Sequence, residues 1–184
     1  LYKNIFSIFF SEAFIRIFSY SSHIILSFFL IPKDFALIAI VSTVHLFVCG
    51  LKEFGIFQYL ISAKNYKKEN YLILKTSYLL NLIAFIIVCI LSVILSFHYS
   101  DWRIIPLVVG VNMLLPINTY LAVIKIPLYK RKDFKFIGKV NLIANLIGLI
   151  GLILSILLNA GVFAYLFSQF LIAFISLYGF FPKR

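Results

Sequence analysis

Long apolar runs separated by short polar breaks dominate this chain. Six runs are long enough for a helix that crosses about 30 Å of hydrocarbon, which takes roughly 20 residues. The breaks carry turn-forming residues, such as Pro32-Lys33-Asp34 and Asn159-Ala160-Gly161. The pattern predicts an all-α integral membrane protein, a single six-helix bundle over residues 1–184. The predicted spans are residues 5–31, 35–60, 71–97, 104–126, 136–158 and 162–181.

Composition supports the membrane assignment. Of the 184 residues, 63% are hydrophobic and only 12% are charged, whereas soluble domains are about half apolar and about a quarter charged. The net charge is +11, but the basic residues are concentrated in short connections between apolar runs. Membrane lipids are therefore the expected counter-charge. Nucleic acid is excluded as a partner because no basic face with interleaved stacking aromatics stands out.

The distribution of positive charge predicts the orientation. One side of the membrane receives Lys3, the connection 64–70, the basic loop 129–139 and the end 182–184. The other side has only Lys33 and Arg103, each close to an acid in the sequence. Because short loops rich in Lys and Arg stay in the cytoplasm, both termini are predicted to be cytoplasmic.

The first span carries a polar stripe. Its members, at steps of three or four residues on one helical face, are Glu12, Arg16, Ser19, His23 and Ser27. A charge near the bilayer centre costs at least about 2.5 kcal/mol, so it normally faces protein or a wet cavity. Two interpretations stay open. In the first, Glu12 and Arg16 form an ion pair that fixes helix packing. In the second, the stripe lines a polar cavity.

Other spans also carry polar residues on one side. In the second span these are Ser42, His45, Cys49, Lys52 and Glu53. In the fourth span Asn112 and Thr119 share a face with Pro116, which is predicted to kink the helix. In the fifth span small and amide residues indicate close helix packing. They are Asn141, Asn145, Gly148, Gly151, Ser155 and Asn159.

The remaining chemistry-bearing residues indicate no cofactor. Cys49 and Cys89 are embedded in apolar segments, which is typical of small buried hydrophobes and not of a disulfide. The three histidines are scattered without metal-ligand spacing, so no metal site is expected.

Three segments resemble one known family. The segment LIPKDFALIAIVSTV (residues 30–44) looks like the segment that leads into the second span in that family. KEFGIFQYLISAKN (residues 52–65) is similar to the acidic-Gly pattern that ends that span. Residues 128–171 resemble its basic, aromatic loop and the following hairpin. The chain thus resembles the polysaccharide transporters, or lipid-linked oligosaccharide flippases, in the superfamily that includes multidrug and toxic-compound extruders.

The resemblance implies that the chain corresponds to the N-terminal half of a transporter with 12–14 helices. A start at Leu1 without Met also indicates a fragment. The implied activity moves an undecaprenyl-diphosphate-linked oligosaccharide, for O-antigen, capsule or a similar polymer, to the periplasmic leaflet by alternating access. The implied location is the bacterial inner membrane. No catalytic residue is expected, and the polysaccharide polymerase machinery is a candidate partner.

The diphosphate of such a cargo needs cationic contacts. Arg16 is the expected contact deep in the cavity and Lys52 the contact near the cytoplasmic entrance. His23 and Asn112 complete the predicted substrate-binding set. Glu12 and Glu53 are predicted to act in charge pairing or ion coupling.

Three alternatives remain open at the level of sequence. A membrane enzyme acting on lipid-linked sugars would need clustered acids or histidines in its loops, where this chain has scattered acids. A truncated or auxiliary membrane protein without transport activity is the second alternative. A multidrug-type exporter is the third; it would favour a cavity dominated by carboxylates, whereas the central acid Glu12 lies one turn from Arg16.

Overall fold

Helices make up nearly all of the described chain. The computed structural model describes residues 2–53 and 66–181, with side chains described for 13–14, 16–50 and 74–181. No strand occurs within these residues. The helices are α1 (Tyr2–Phe29), α2 (Pro32–Glu53), α3 (Tyr66–Tyr99), α4 (Ile104–Asn112), α5 (Leu115–Lys130), α6 (Phe134–Leu157) and α7 (Phe163–Phe180).

Within the described residues, five segments are long and apolar enough to cross a membrane. They are Pro32–Gly50, Leu74–Tyr99, Ile104–Lys130, Phe134–Leu157 and Phe163–Phe180. The predicted first span corresponds to α1, whose 28 residues would extend about 42 Å as a straight helix. These helices confirm the prediction of an all-α, multi-pass membrane protein. The last seven residues of the predicted second span, 54–60, lie outside the described residues.

Pro32, at a predicted break, and Pro116, at a predicted kink, both occupy the first turn of a helix. Pro32 is the first residue of α2 instead of part of the preceding turn, which lies at Leu30 and Ile31. This position suits proline because its missing N–H would have no partner within the helix. A kink within one continuous helix was predicted at Pro116. Instead, the helix is interrupted at Met113 and Leu114, and Pro116 is the second residue of the next helix, α5. The Leu114 N–H donates to the Val111 carbonyl at 3.2 Å, which tightens the break into one 3₁₀-type turn.

The chain forms two compact units. Unit 1 comprises Leu1–Phe35 and Ile124–Arg184, and unit 2 comprises Ala36–Val123. Unit 1 contains α1, α6 and α7, in which α1 packs on α6 and α6 packs on α7. In unit 2, α3 packs on α4. That residues 1–184 act as one bundle stays a prediction.

Small residues bring α6 and α7 together, as predicted for the fifth span. Gly148 and Gly151 are buried, and a Cβ at either position would overlap Ile172 or Leu171 of α7, respectively. The Ser168 hydroxyl of α7 donates to the Gly148 carbonyl at 2.9 Å, a bond that only close backbones allow.

Helix α3 is polar inside and apolar outside. Its buried positions include Ser77, Asn81 and Ser92. Its exposed positions are mostly Ile, Leu and Val, for example Ile86 at 52% and Ile90 at 57%. This distribution is the reverse of a soluble helix and is the one expected where lipid replaces water as the solvent.

Candidate functional site

Helix α1 has three distinct faces. One face packs within unit 1, where Leu26 is completely buried and Phe18 and Ser22 are half-buried. A second face exposes large apolar side chains suited to lipid, among them Ile24 at 57% and Phe28 at 82%. The polar stripe occupies the third face.

The described part of the polar stripe is accessible. Arg16, Ser19 and Ser27 are exposed, and His23 is half-buried. The His23 ring lies 6.4 Å from the Tyr165 ring of α7, measured between centroids. The packing of α1 on α6 therefore leaves Arg16, Ser19 and Ser27 uncovered.

Three predicted site residues lie outside the part whose side chains are described. Glu12 belongs to α1, and Lys52 and Glu53 belong to the last turn of α2. Their roles stay predictions, as does the pairing of Glu12 with Arg16.

Asn112, the fourth predicted substrate contact, sits at the end of α4 with no exposed surface. Its Nδ2 donates to the Val108 carbonyl at 2.8 Å, so its Oδ1 faces α2. There His45 Nδ1 donates to Oδ1 at 3.2 Å. One turn further along α2, Cys49 Sγ lies 3.6 Å from His45 Nε2. Substrate binding by Asn112 stays a prediction, and the structure gives this residue a defined partner in His45.

A second polar contact in unit 2 joins α3 to α5. Asn81 Nδ2 donates to Thr119 Oγ1 at 3.0 Å, and both side chains are buried. The Thr119 hydroxyl donates to the Leu115 carbonyl of its own helix at 3.0 Å. Asn112 and Thr119, predicted to share a face, therefore contact different helices, α2 and α3, on the two sides of the break before Pro116.

Unit 1 contains a cation that was not among the predicted site residues. Lys125 Nζ of α5 donates to Asn141 Oδ1 of α6 at 3.3 Å, and it lies 4.8 Å from the centroid of the Phe180 ring of α7. A cation over an aromatic face gains about 0.5–2 kcal/mol, the more so where water is excluded. Lys125 thus links three helices of unit 1.

The turn between α3 and α4 carries a neutralised charge. Arg103 donates from Nε and Nη2 to the two Asp101 carboxylate oxygens, at 3.1 and 2.9 Å. Asp101 is only 6% exposed, and its Oδ1 also accepts the Arg103 backbone N–H at 3.1 Å. Asp101, the acid close to Arg103 in the sequence, is therefore its ion-pair partner. The two charges cancel, so the pair adds no net charge to this turn.

The structure brings together only some of the predicted site. Arg16 and His23 share a face of α1, and Asn112 is joined to His45. His45 and Cys49 were not among the predicted binding residues. Their spacing of four residues on one helix was the available signal, but the partner from α4 lies 67 positions away in sequence.

Comparison with known proteins gives a family. The family described as polysaccharide biosynthesis protein matches residues 25–182. No curated protein matches the chain. No solved structure matches it either.

Proposed function

Because this chain belongs to the family of polysaccharide biosynthesis proteins, we propose that it takes part in polysaccharide synthesis as a flippase, and not as an enzyme. The proposed cargo is an undecaprenyl-diphosphate-linked oligosaccharide that moves to the periplasmic leaflet of the bacterial inner membrane. O-antigen and capsule units are cargoes of this class.

The polar stripe of α1 is the observation that carries this proposal. A membrane span normally hides its charged and polar groups against protein. Here Arg16 and Ser19 stay exposed, although another face of the same helix is buried in unit 1. A stripe of this kind is suited to line a path for a polar cargo, with the exposed apolar face of α1 turned to lipid.

The chemistry of the stripe fits a diphosphate. A guanidinium presents several N–H donors in a planar fork that matches two phosphate oxygens. We assign Arg16 as the main anion contact and His23, two turns along the same face, as an additional one. Lys52 is proposed as the cation at the cytoplasmic entrance. Transport needs no covalent step, only alternating exposure of this stripe to the two sides.

An export assay with Arg16→Ala tests this assignment. We expect loss of surface glycan export, because the neutral side chain removes the anion contact, while the amount of protein in the membrane fraction is unchanged. Arg16→Lys should retain part of the activity, since it keeps the charge without the planar fork.

Arg131→Ala is the matched control for charge removal. Arg131 is also exposed, but it lies in the turn between α5 and α6, outside the spans. Export should persist in this variant. Normal export by Arg16→Ala would refute the role of Arg16 in transport.

A further inference from the structure

One face of α6 is basic near its start and apolar along the rest of its length. Lys135 and Lys139 are exposed and lie one turn apart. The same face continues with Ile143, Ile147 and Ile150, whose exposed fractions are 40%, 38% and 51%. These five residues recur at steps of four, four, four and three, so they form one continuous strip along the helix, called the α6 strip below.

The α6 strip is turned away from the helices on which α6 packs. Helix α6 contacts α1 and α7. Its buried positions, such as Ala144, Gly148 and Leu152, lie on about the opposite side of the helix. The strip is therefore on the outside of unit 1. In a membrane-spanning helix this is the side that lipid can approach.

Acids nearby in the sequence do not balance the positive charge at the start of the strip. The basic loop 129–139 contains five Lys or Arg residues and one acid, Asp133, so one carboxylate is matched against five cations. Lys125 of unit 1 differs, because its ammonium donates to Asn141 on the other side of α6. Lys135 and Lys139 thus place net positive charge at the end of an exposed apolar surface.

The length of the strip matches one leaflet of a bilayer. From Lys139 to Ile150 the helix rises about 16 Å, and half of the hydrocarbon core is about 15 Å thick. A phosphate at the two lysines would therefore allow an acyl chain to lie along the three isoleucines. The cations and the apolar side chains follow one another along α6 in the same order as the phosphate and the acyl chains of a phospholipid.

We propose that the α6 strip binds an anionic phospholipid of the leaflet that borders the basic loop. Lys135 and Lys139 bind the phosphate, and the isoleucines contact one acyl chain. Beyond Lys139 the exposed positions of α6 are all Ile or Leu. A headgroup that crosses the membrane would need polar groups along its whole path, so the strip suits a resident lipid and not a transported one. This inference does not rest on the proposed transport function.

A tryptophan reporter on the strip tests the proposal. Trp102→Phe removes the one tryptophan of the chain, and Ile143→Trp places the reporter next to the two lysines. The full chain is reconstituted in phosphatidylcholine nanodiscs that contain a small share of lipid with brominated acyl chains, which quench tryptophan fluorescence on contact. We expect brominated phosphatidylglycerol, the anionic probe, to be preferred over brominated phosphatidylcholine by about fivefold at this position.

A matched pair of charge removals separates a site from general attraction to the basic loop. Lys135→Gln together with Lys139→Gln should reduce the preference to less than about twofold. Arg131→Gln together with Lys132→Gln removes the same charge from exposed positions in the turn before α6, and the preference should persist. Equal losses from the two pairs, or no preference in the parent, would overturn the proposal.

The position of the reporter is the second control. Leu157 is also exposed on α6, and it lies as many residues beyond Ile150 as Ile143 lies before it. Leu157→Trp therefore reports on the other leaflet, where both brominated lipids should quench equally. Two further outcomes would also overturn the proposal. Displacement of phosphatidylglycerol from the Ile143→Trp reporter by a tenfold smaller amount of a polyprenyl diphosphate would assign the strip to the proposed cargo. Absence of quenching by either lipid there would show that protein covers the strip.

Discussion

Three of the described helices are followed, within two residues of their last residue, by a non-glycine residue with left-handed backbone geometry. These residues are Ser100, Lys132 and Asn159, with φ of 51°, 57° and 58°. Each lies in the same capping motif. After α3, for example, the Ser100 N–H donates to the Phe97 carbonyl and the Asp101 N–H donates to the Ser96 carbonyl. The motif satisfies carbonyls at the helix end, but a Cβ in this conformation costs about 1–2 kcal/mol.

Ser100→Gly should therefore stabilise the protein. Glycine adopts positive φ without the Cβ penalty, and the Ser100 side chain is exposed, so little packing is lost. We expect the free energy of unfolding in detergent to rise by up to about 1 kcal/mol, after the entropy cost of the added glycine.

Gly161→Ala should have the opposite sign. Gly161 has a φ of 55°, and no atom lies within 4 Å of the position that an added Cβ would take, so strain is the only new term. A loss of about 1 kcal/mol is expected. Equal unfolding free energies for both variants and the parent would contradict this account of the two turns.

At the same scale, sequence could indicate candidate residues but not their partners. The stripe on α1 follows from periodicity alone, since Arg16, Ser19 and His23 recur every three or four residues. The bond between His45 and Asn112 joins two helices across 67 positions, and no local pattern encodes such a distance. Lys125 was missed for the same reason, because Asn141 and Phe180 belong to other helices.

At the scale of elements, the packing of α6 on α7 depends on glycine for lack of space. A Cβ at Gly148 would overlap Cγ1 of Ile172, which is close to the backbone and cannot swing away freely. At Gly151 the obstructing atom is the terminal Cδ1 of Leu171, with Cγ at 3.6 Å. An added Cβ is therefore harder to accommodate at Gly148 than at Gly151.

Gly148→Ala should destabilise the hairpin of α6 and α7. Forced repacking of Ile172 is expected to cost about 1–3 kcal/mol, and separation of the helices would also weaken the Ser168 bond to the Gly148 carbonyl. Thermal unfolding in detergent measures the loss.

Gly50→Ala is the matched control. Gly50 lies within α2 and nothing is within 4 Å of the added Cβ. Helix propensity alone then predicts a gain of up to about 1 kcal/mol. Stabilisation by both substitutions would refute the close-packing explanation for Gly148.

Element types were predictable because apolar length is set by the bilayer. The spans predicted as residues 136–158 and 162–181 begin and end within two residues of α6 and α7. The break at Met113 and Leu114 was not predictable from Pro116 alone. Proline has no N–H, so its nitrogen cannot donate a hydrogen bond. This is compatible either with a kink in a continuous helix or with a position in the first turn of a new helix.

At the scale of the whole molecule, the family match covers residues 25–182 and so includes parts of both compact units. The family assignment therefore does not rest on one apolar hairpin, which many membrane proteins would resemble.

The turns at Ser100 and Lys132 are predicted to lie on opposite sides of the membrane. The first turn has its Arg103 charge matched by Asp101, whereas the second has exposed cations at Arg131, Lys132 and Lys135. Short basic connections are retained in the cytoplasm. The segment Ile104–Lys130, which joins the two turns, is long and apolar enough to cross once.

A thiol introduced at each turn measures this orientation. In a background with Cys49→Ser and Cys89→Ser, Ser100→Cys should react with a membrane-impermeant maleimide in right-side-out vesicles. Lys132→Cys should react only after the vesicles are opened. The pair is well matched, because both positions are exposed and both have left-handed backbone geometry at a helix end. Reaction of Lys132→Cys in sealed vesicles, with protection of Ser100→Cys, would invert the orientation and place Arg131 and its neighbours outside the cytoplasm.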